Sequence, residues 1–365
     1  MNTAARFFLL AFPILALAIG VTWLPREEEG YPGLSDADAI EQRVMEQRAD
    51  PADRALSDSL ARIGSEFAGE VGIAVVDVET GNAFHHKGGE FYPQQSVSKL
   101  WVSMTALSQV DEGELDLSEQ VTMRREDLTV FYQPIRNIVR SRGSFTGDYA
   151  ELMRRALAQS DNSANDRILR RVGGPEAVEE FLEENEIGGV RFGRDERTKQ
   201  SAIAGLTWQQ GYSYRDEFFK ARDRLPDELR REAFNAYLAD PEDGATPLGM
   251  ATALARLARG DILSSTSGEL LQAILQTTRS GPRRLKGGVP DEWRFGHKTG
   301  TGQFFDGEQS GYNDVGLLTS PTGREYAIAV LIRRTRAPTI ARMEMMQSVT
   351  RAVVVYDEDR RFPDS

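Results

Sequence analysis

The stretches of this chain best suited to β-strands lie far apart, and that separation constrains the fold more than any other feature. Residues 71–78 are rich in β-branched side chains and run into Glu79-Thr80-Gly81-Asn82, a turn signal, so a strand and hairpin are expected there. Residues 315–318 and 326–332 are apolar runs joined by Ser320-Pro321-Thr322-Gly323, with a terminal helix expected over about residues 339–354. The intervening sequence is helical in pattern. Leu100, Met104, Leu107 and Val110 recur at helical spacing, predicting a buried helix with Ser96 at its N-terminal end. Three further helical stretches follow over residues 149–185, one closed by Gly173-Gly174 and the next opened by Pro175. A lone strand is unstable, so the simplest closure is one antiparallel sheet drawn from both ends, with a helical subdomain inserted into it. The expected class is α+β.

At 365 residues and 40% hydrophobic content, the chain can bury a substantial core. Its formal net charge of -12 argues against a general role on nucleic acid or on anionic membrane surfaces. The absence of cysteine excludes disulfides, thiolate metal sites and thiol nucleophiles. Three histidines, His85, His86 and His297, leave little for a metal site, and no cofactor is implied.

Arg6 precedes an apolar run over residues 7–24 that resembles an export signal, with Ala16-Leu17-Ala18 as a small-x-small cleavage site. Left uncut, the run is just long enough to span a bilayer, so residues 1–24 are read as a signal peptide or an N-terminal membrane anchor. In either case the domain is expected outside the cytoplasm, in the periplasm. Residues 25–52 are acidic and without sustained pattern, and read as a linker; residues 53–358 read as the folded domain.

Lysine is scarce, with six in the chain, and two of them fall in short motifs: Ser96-Val97-Ser98-Lys99 and Lys298-Thr299-Gly300. An ammonium can be tuned to lose its proton, whereas a guanidinium stays charged. Ser96 lies one helical turn before Lys99, so the amine can meet the hydroxyl and activate it. Alone, Ser-x-x-Lys is expected roughly once by chance in a chain of this size. Ser160-Asp161-Asn162, between two helices, reads by itself as a helix cap, and Lys298-Thr299-Gly300-Thr301-Gly302 as a turn into a strand. The three together, in this order, match the motif set of class A β-lactamases and penicillin-binding proteins.

From these motifs the chain resembles the class A β-lactamase family, over roughly residues 53–355. Val172-Gly173-Gly174-Pro175, Pro290, Trp293 and the order of elements extend the likeness. The resemblance implies a five-stranded sheet flanked by helices, with the active site between sheet and helical subdomain. It implies that Ser96 is the acylated nucleophile, with its own amide and that of Thr301 as oxyanion donors, and that Lys99 moves protons. Ser160 would pass a proton to the leaving nitrogen, Asn162 would bind the substrate's side-chain amide, and Lys298 with Thr299 would hold its carboxylate. Arg284, fourteen positions before Lys298, is similar to an extra carboxylate-binding arginine, with Arg283 a competitor. Glu196, thirty-six residues after Ser160, would activate the water that releases the acyl-enzyme.

The chain also departs from the family. Lys199-Gln200 stands where a Leu-Asn pair is usual, with Gln200 in the place of the water-holding asparagine. Arg194 and Asp243 resemble the ion pair that closes this loop, but the segment between them is long, with an insertion at about residues 201–242. Two helices are expected in it, over residues 214–224 and 226–238, with Phe218, Phe219, Phe234 and Tyr237 as apolar anchors. The insertion reads as a lid over the pocket or as a packed appendage. Either Phe131 or Tyr132 is expected at the pocket mouth. The resulting expectation is an exported serine β-lactamase: a monomer acting on a small-molecule β-lactam, with a tether through residues 7–24 if these stay uncut. The alternatives are a D-alanyl-D-alanine peptidase or esterase, and a membrane-tethered penicillin sensor.

Overall fold

The computed structural model describes residues 50–361. Its sheet contains β1 (Gly69–Asp77), β2 (Ala83–His86), β3 (Arg294–Thr301), β4 (Tyr312–Thr319) and β5 (Glu325–Thr335), in the spatial order β2-β1-β5-β4-β3. All neighbours are antiparallel. β1 pairs with β5 from Gly69 opposite Thr335 to Asp77 opposite Tyr326, so the two distant strand regions do close one sheet. Two short pieces, Phe304–Phe305 and Glu308–Ser310, extend the expected five strands to seven.

Both faces of the sheet are covered, and the two-residue period of each strand divides its side chains between two cores. Ile73 and Val75 of β1 join Ile328, Val330 and Ile332 of β5 in one. Ala74, Val76, Ala327, Ala329 and Leu331 enter the other. The first core is roofed by α1 (Pro51–Glu66) and the C-terminal helix Thr339–Arg361, through Leu56, Leu60, Met346 and Val349. α1 starts where sequence chemistry favours it: the Asp50 carboxylate accepts the Ala52 N–H at 2.8 Å, and Pro51 occupies the first turn.

The second core continues into the helical subdomain, centred on α2 (Lys99–Asp111), in which every residue from Lys99 to Leu107 is buried. Around it pack the helix Tyr149–Ala158, α3 (Asn162–Val172) and the helix Pro175–Glu184. Gly173 ends α3 at φ +112°, a left-handed value that favours glycine. α4 (Glu196–Ile203) follows, capped by the Asp195 carboxylate, which accepts the Thr198 N–H at 2.9 Å. The long segment beyond it holds α5 (Glu217–Asp223) and α6 (Asp227–Ala239), and α7 (Pro247–Arg259) returns the chain to the sheet.

The apolar run at residues 7–24 and the linker up to residue 49 lie outside the described residues. Among the described residues no helix is long and apolar enough to cross a membrane.

Candidate active site

The Ser96-Val97-Ser98-Lys99 motif lies on a tight 3-10 turn, Gln95–Ser98, that feeds directly into α2. Lys99, in the first position of α2, donates from Nζ to Ser96 Oγ at 2.8 Å and to Glu196 Oε1 at 2.7 Å. β3 runs close beside this turn. A Cβ at Gly300 would lie 2.3 Å from the Gln94 carbonyl oxygen, so only glycine permits the approach. Two residues earlier, Lys298 Nζ donates to Ser160 Oγ at 2.9 Å and to the Thr299 carbonyl at 3.0 Å.

Ser160 sits at φ +59° just ahead of α3, in the left-handed region. Asp161 is indeed a helix cap, accepting from the Ser163 and Ala164 amides, and it also accepts the Ile135 N–H at 2.8 Å. Locked in this way, it presents its neighbours to the cleft. Asn162 donates from Nδ2 to the Val130 carbonyl at 3.0 Å. Ser96, Ser160, Asn162, Glu196, Gln200 and Thr301 all line one cavity of about 720 Å³, with Thr299 and Arg284 in the same wall.

The structure brings the sequence-predicted residues together, with differences in what each contacts. Arg284, rather than Arg283, lines the cavity and is buried. Its guanidinium donates to the Gly300 and Asn313 carbonyls and to Thr301 Oγ1 at 2.6 Å, and it stacks 3.8 Å from the Tyr312 ring centroid. It thus braces β3. Thr299 Oγ1 lies 2.6 Å from Ser280 Oγ. Phe131 and Tyr132 both line the cavity, Tyr132 exposed at the rim and Phe131 packed edge-on against Phe218 and Phe219.

Glu196 enters from α4 and is 2% exposed. Its backbone N–H donates to Asp166 Oδ1 at 3.1 Å. Gln200, one turn along, donates from Nε2 to Gln95 Oε1 at 2.7 Å and to Glu196 Oε2 at 3.3 Å, and Gln303 donates to the Gln200 carbonyl at 2.8 Å. Burial pushes the Glu196 carboxyl up, but the ammonium groups of Lys199 and Lys99 outweigh it and hold the group down at about 2. Burial pushes Lys99 below its ordinary value against the pull of Glu196, and Lys199 adds to the push. It also pushes Lys298 well below its ordinary value, with Lys99 adding to that effect.

The expected Arg194–Asp243 ion pair does not form. Arg194 pairs at the surface with Glu242, Nε to Oε2 at 2.6 Å. Asp243 points inward, fully buried, where Lys199 Nζ lies 3.0 Å from its Oδ2. A carboxylate without solvent needs a cation that is equally buried, and the half-exposed Arg194 cannot supply it. Tyr237 also departs from expectation. Its ring packs with Ile203, Phe234 and Leu238, but its hydroxyl donates to Asp243 Oδ1 at 2.8 Å and accepts from Gln95 Nε2 at 2.6 Å. Of the other anchors, Phe218 and Phe234 are buried, whereas Phe219 is 40% exposed and, with Arg222, lines the cavity. The insertion is therefore both packed, through α6, and part of the pocket, through α5.

Sequence reading missed Lys199, Asp166, Tyr237 and Gln95 as members of the site. For Lys199 a signal existed: lysine is scarce, and this one lies three residues after Glu196, on the same helical face.

A family model described as the β-lactamase enzyme family matches residues 55–357. The chain belongs to that family. Among curated relatives, β-lactamase SME-1 of Serratia marcescens is 26% identical over 248 residues, covering 68% of this chain and 71% of that protein. The extended-spectrum β-lactamase PER-1 of Pseudomonas aeruginosa is 28% identical over 245 residues, covering 67% and 68%. Among solved structures, an ancestral class A β-lactamase superposes with a TM-score of 0.66 at 29% identity, covering 82% of this chain and 99% of that one. A β-lactamase from Chitinophaga pinensis DSM 2588 gives 0.66 at 24% identity, covering 83% and 98%, a likeness of fold. The family's α+β architecture is the one described above.

Proposed function

We propose that the protein is a serine β-lactamase, opening the β-lactam amide through an acyl-serine intermediate on Ser96 and releasing it with water activated by Glu196. The observation that carries this reading is the continuous chain from Ser96 Oγ to Lys99 Nζ at 2.8 Å and on to Glu196 Oε1 at 2.7 Å. In acylation, Lys99 takes the hydroxyl proton as Ser96 Oγ bonds to the lactam carbonyl carbon. The carbon–nitrogen bond breaks, Ser160, backed by Lys298, delivers its proton to the leaving nitrogen, and the proton taken up by Lys99 is passed on to restore the Ser160 hydroxyl. The amides of Ser96 and Thr301 carry the oxyanion in both steps. Asn162 binds the side-chain amide, while Lys298, Thr299 and Thr301 hold the carboxylate, with Arg284 bracing Thr301.

For release, Glu196 takes a proton from water, whose oxygen attacks the ester carbon, and Ser96 leaves with a proton returned to its oxygen. A positioned base contributes roughly 10² to 10⁴ in rate. Gln200 beside Glu196 is suited to orient that water. The reading also makes this an exported domain of about residues 53–358, with residues 7–24 as leader or tether and residues 201–242 as an elaboration of the loop.

The test is incubation of the full chain with a chromogenic cephalosporin, following turnover and intact mass together. Sustained turnover that Ser96→Ala abolishes is expected. A stable adduct without turnover points instead to a penicillin sensor or penicillin-binding protein, and the lack of any adduct overturns β-lactam chemistry.

A further inference from the structure

Three lysines are fully buried among the described residues: Lys99, Lys298 and Lys199. The first two belong to the motifs; the third has no role in the reaction as given above. Lys199 lies one turn after Glu196 on α4, with Nζ 3.7 Å from Glu196 Oε1, 3.0 Å from Asp243 Oδ2 and 3.4 Å from Ser98 Oγ, to which it donates. It therefore touches the base, the end of the insertion and the nucleophile turn at once.

We propose that Lys199, clamped by Asp243, is a positioning residue for hydrolysis, holding Glu196 as a fixed carboxylate while leaving Lys99 free to exchange its proton. This rests on the function proposed above and deepens it. Glu196 pairs with Lys99 at 2.7 Å, and with Lys99 as its one cationic neighbour the ammonium that stabilises the carboxylate would be the same one that must give up its proton to serve Ser96. A second ammonium separates the two tasks. The clamp makes that ammonium permanent, since Asp243 and Glu196 together raise Lys199 above its ordinary value against the effect of burial.

The clamp is braced from three sides. Asp243 accepts the Gln95 N–H at 2.9 Å and the Tyr237 hydroxyl at 2.8 Å, besides facing Lys199. Gln95 stands at φ +55°, an uncommon conformation for a residue with a side chain, immediately before Ser96. Its side chain is gripped by Tyr237 and Gln200. Moving Lys199 would therefore disturb the turn as well as the base. The charged groups facing this cluster are Lys99 from α2, Asp166 from α3, Asp195 at the start of α4, Arg197 and Lys199 from α4, Lys298 from β3 and Glu242 beside Asp243. Asp243 closes it from the end of the insertion, with the Tyr237 hydroxyl from α6 beside it.

The double variant Lys199→Met with Asp243→Asn removes both charges and leaves neither partner bare. Acylation and release are measured separately from pH 2 to 9 by single-turnover stopped flow with a chromogenic cephalosporin and by intact mass. Adduct formation on Ser96 is expected to persist. Release is expected to fall about tenfold or more, with its acid limb moved up by about one pH unit, because a carboxylate that loses a neighbouring cation titrates higher. An unchanged limb and release rate overturn the proposal, since loss of packing alone would lower the rate without moving the limb. The unaltered protein supplies a check independent of the variant's folding: its release limb must lie below pH 4.5, and one at pH 4.5 or above overturns the proposal. If the unaltered protein forms no adduct, the parent function fails and this inference with it. Turnover with an unmoved limb removes only the role of Lys199.

Discussion

The two walls of the cleft are built differently. Toward β3, Lys298 contacts the neutral Ser160 hydroxyl and the Thr299 carbonyl, and each group has a simple partner. Toward α4, charges alternate in an almost dry interior, running from Lys99 to Glu196, then Lys199, then Asp243. Low dielectric makes such a row cohesive when complete and costly when one member is missing. The β3 wall should therefore tolerate substitutions as local losses of chemistry, whereas the α4 wall should respond as a unit.

The largest expected effects are kinetic and separate the walls by step. Glu196→Gln should slow acyl-enzyme release by about 10² to 10⁴ and let the adduct accumulate in intact-mass spectra. Ser160→Ala should slow adduct formation, by about 10² or more, with release little changed. If both variants slow the same step, the division between the walls collapses.

Stability gives the next largest contrast. Asp243→Ala takes from buried Lys199 its 3.0 Å carboxylate partner, leaving only the 3.7 Å contact to Glu196, and should cost about 3 kcal/mol by urea unfolding. Arg194→Ala breaks a half-exposed pair and should cost about 1 kcal/mol at most. Equal losses would mean that Arg194 closes the loop after all.

Acid titration sharpens the same point. Glu196 is held at about 2 against an ordinary value of 4.5, so its ionisation stabilises the fold above pH 4.5, and this contribution is lost as pH falls through about 2. The unaltered protein should thus lose stability more steeply between pH 5 and 2 than Glu196→Gln, by a few kcal/mol, as read from urea midpoints. Parallel curves would show that Glu196 is not held by charge.

The smallest effect is expected at the pocket mouth. Phe219→Ala opens the α5 side of the cavity and should change KM for substrates with bulky side chains by about three- to tenfold, leaving kcat within about twofold. A change in kcat with KM unmoved would instead tie the insertion to the chemistry.

Much of the molecule is legible in the residues. The strand patterns at 71–78 and 326–332 placed strands at both ends of the domain and pointed to one antiparallel sheet drawn from both, and the structure pairs these two segments, each sending alternate side chains into two separate cores. Caps and breakers are equally local: Asp161 ahead of α3 and Gly173 after it act within a few residues. The Ser96–Lys99 contact follows from helical spacing. The insertion's two helices also lie close to where periodicity places them, although Tyr237 reads as apolar in sequence and works through its hydroxyl.

What sequence by itself determined was the class of sheet, the central helix and the Ser96–Lys99 pair, since these depend on periodicity and three-residue spacing; the rest of the residue set at the floor of the cleft came from motifs that resemble the class A family. Only the tertiary structure decided which cation meets which carboxylate. Arg194 and Lys199 both precede Asp243 by a long segment, and nothing in composition selects between them. Burial selects: the fold leaves Arg194 at the surface beside Glu242 and encloses Asp243 with Lys199, and a buried charge takes the partner that shares its interior.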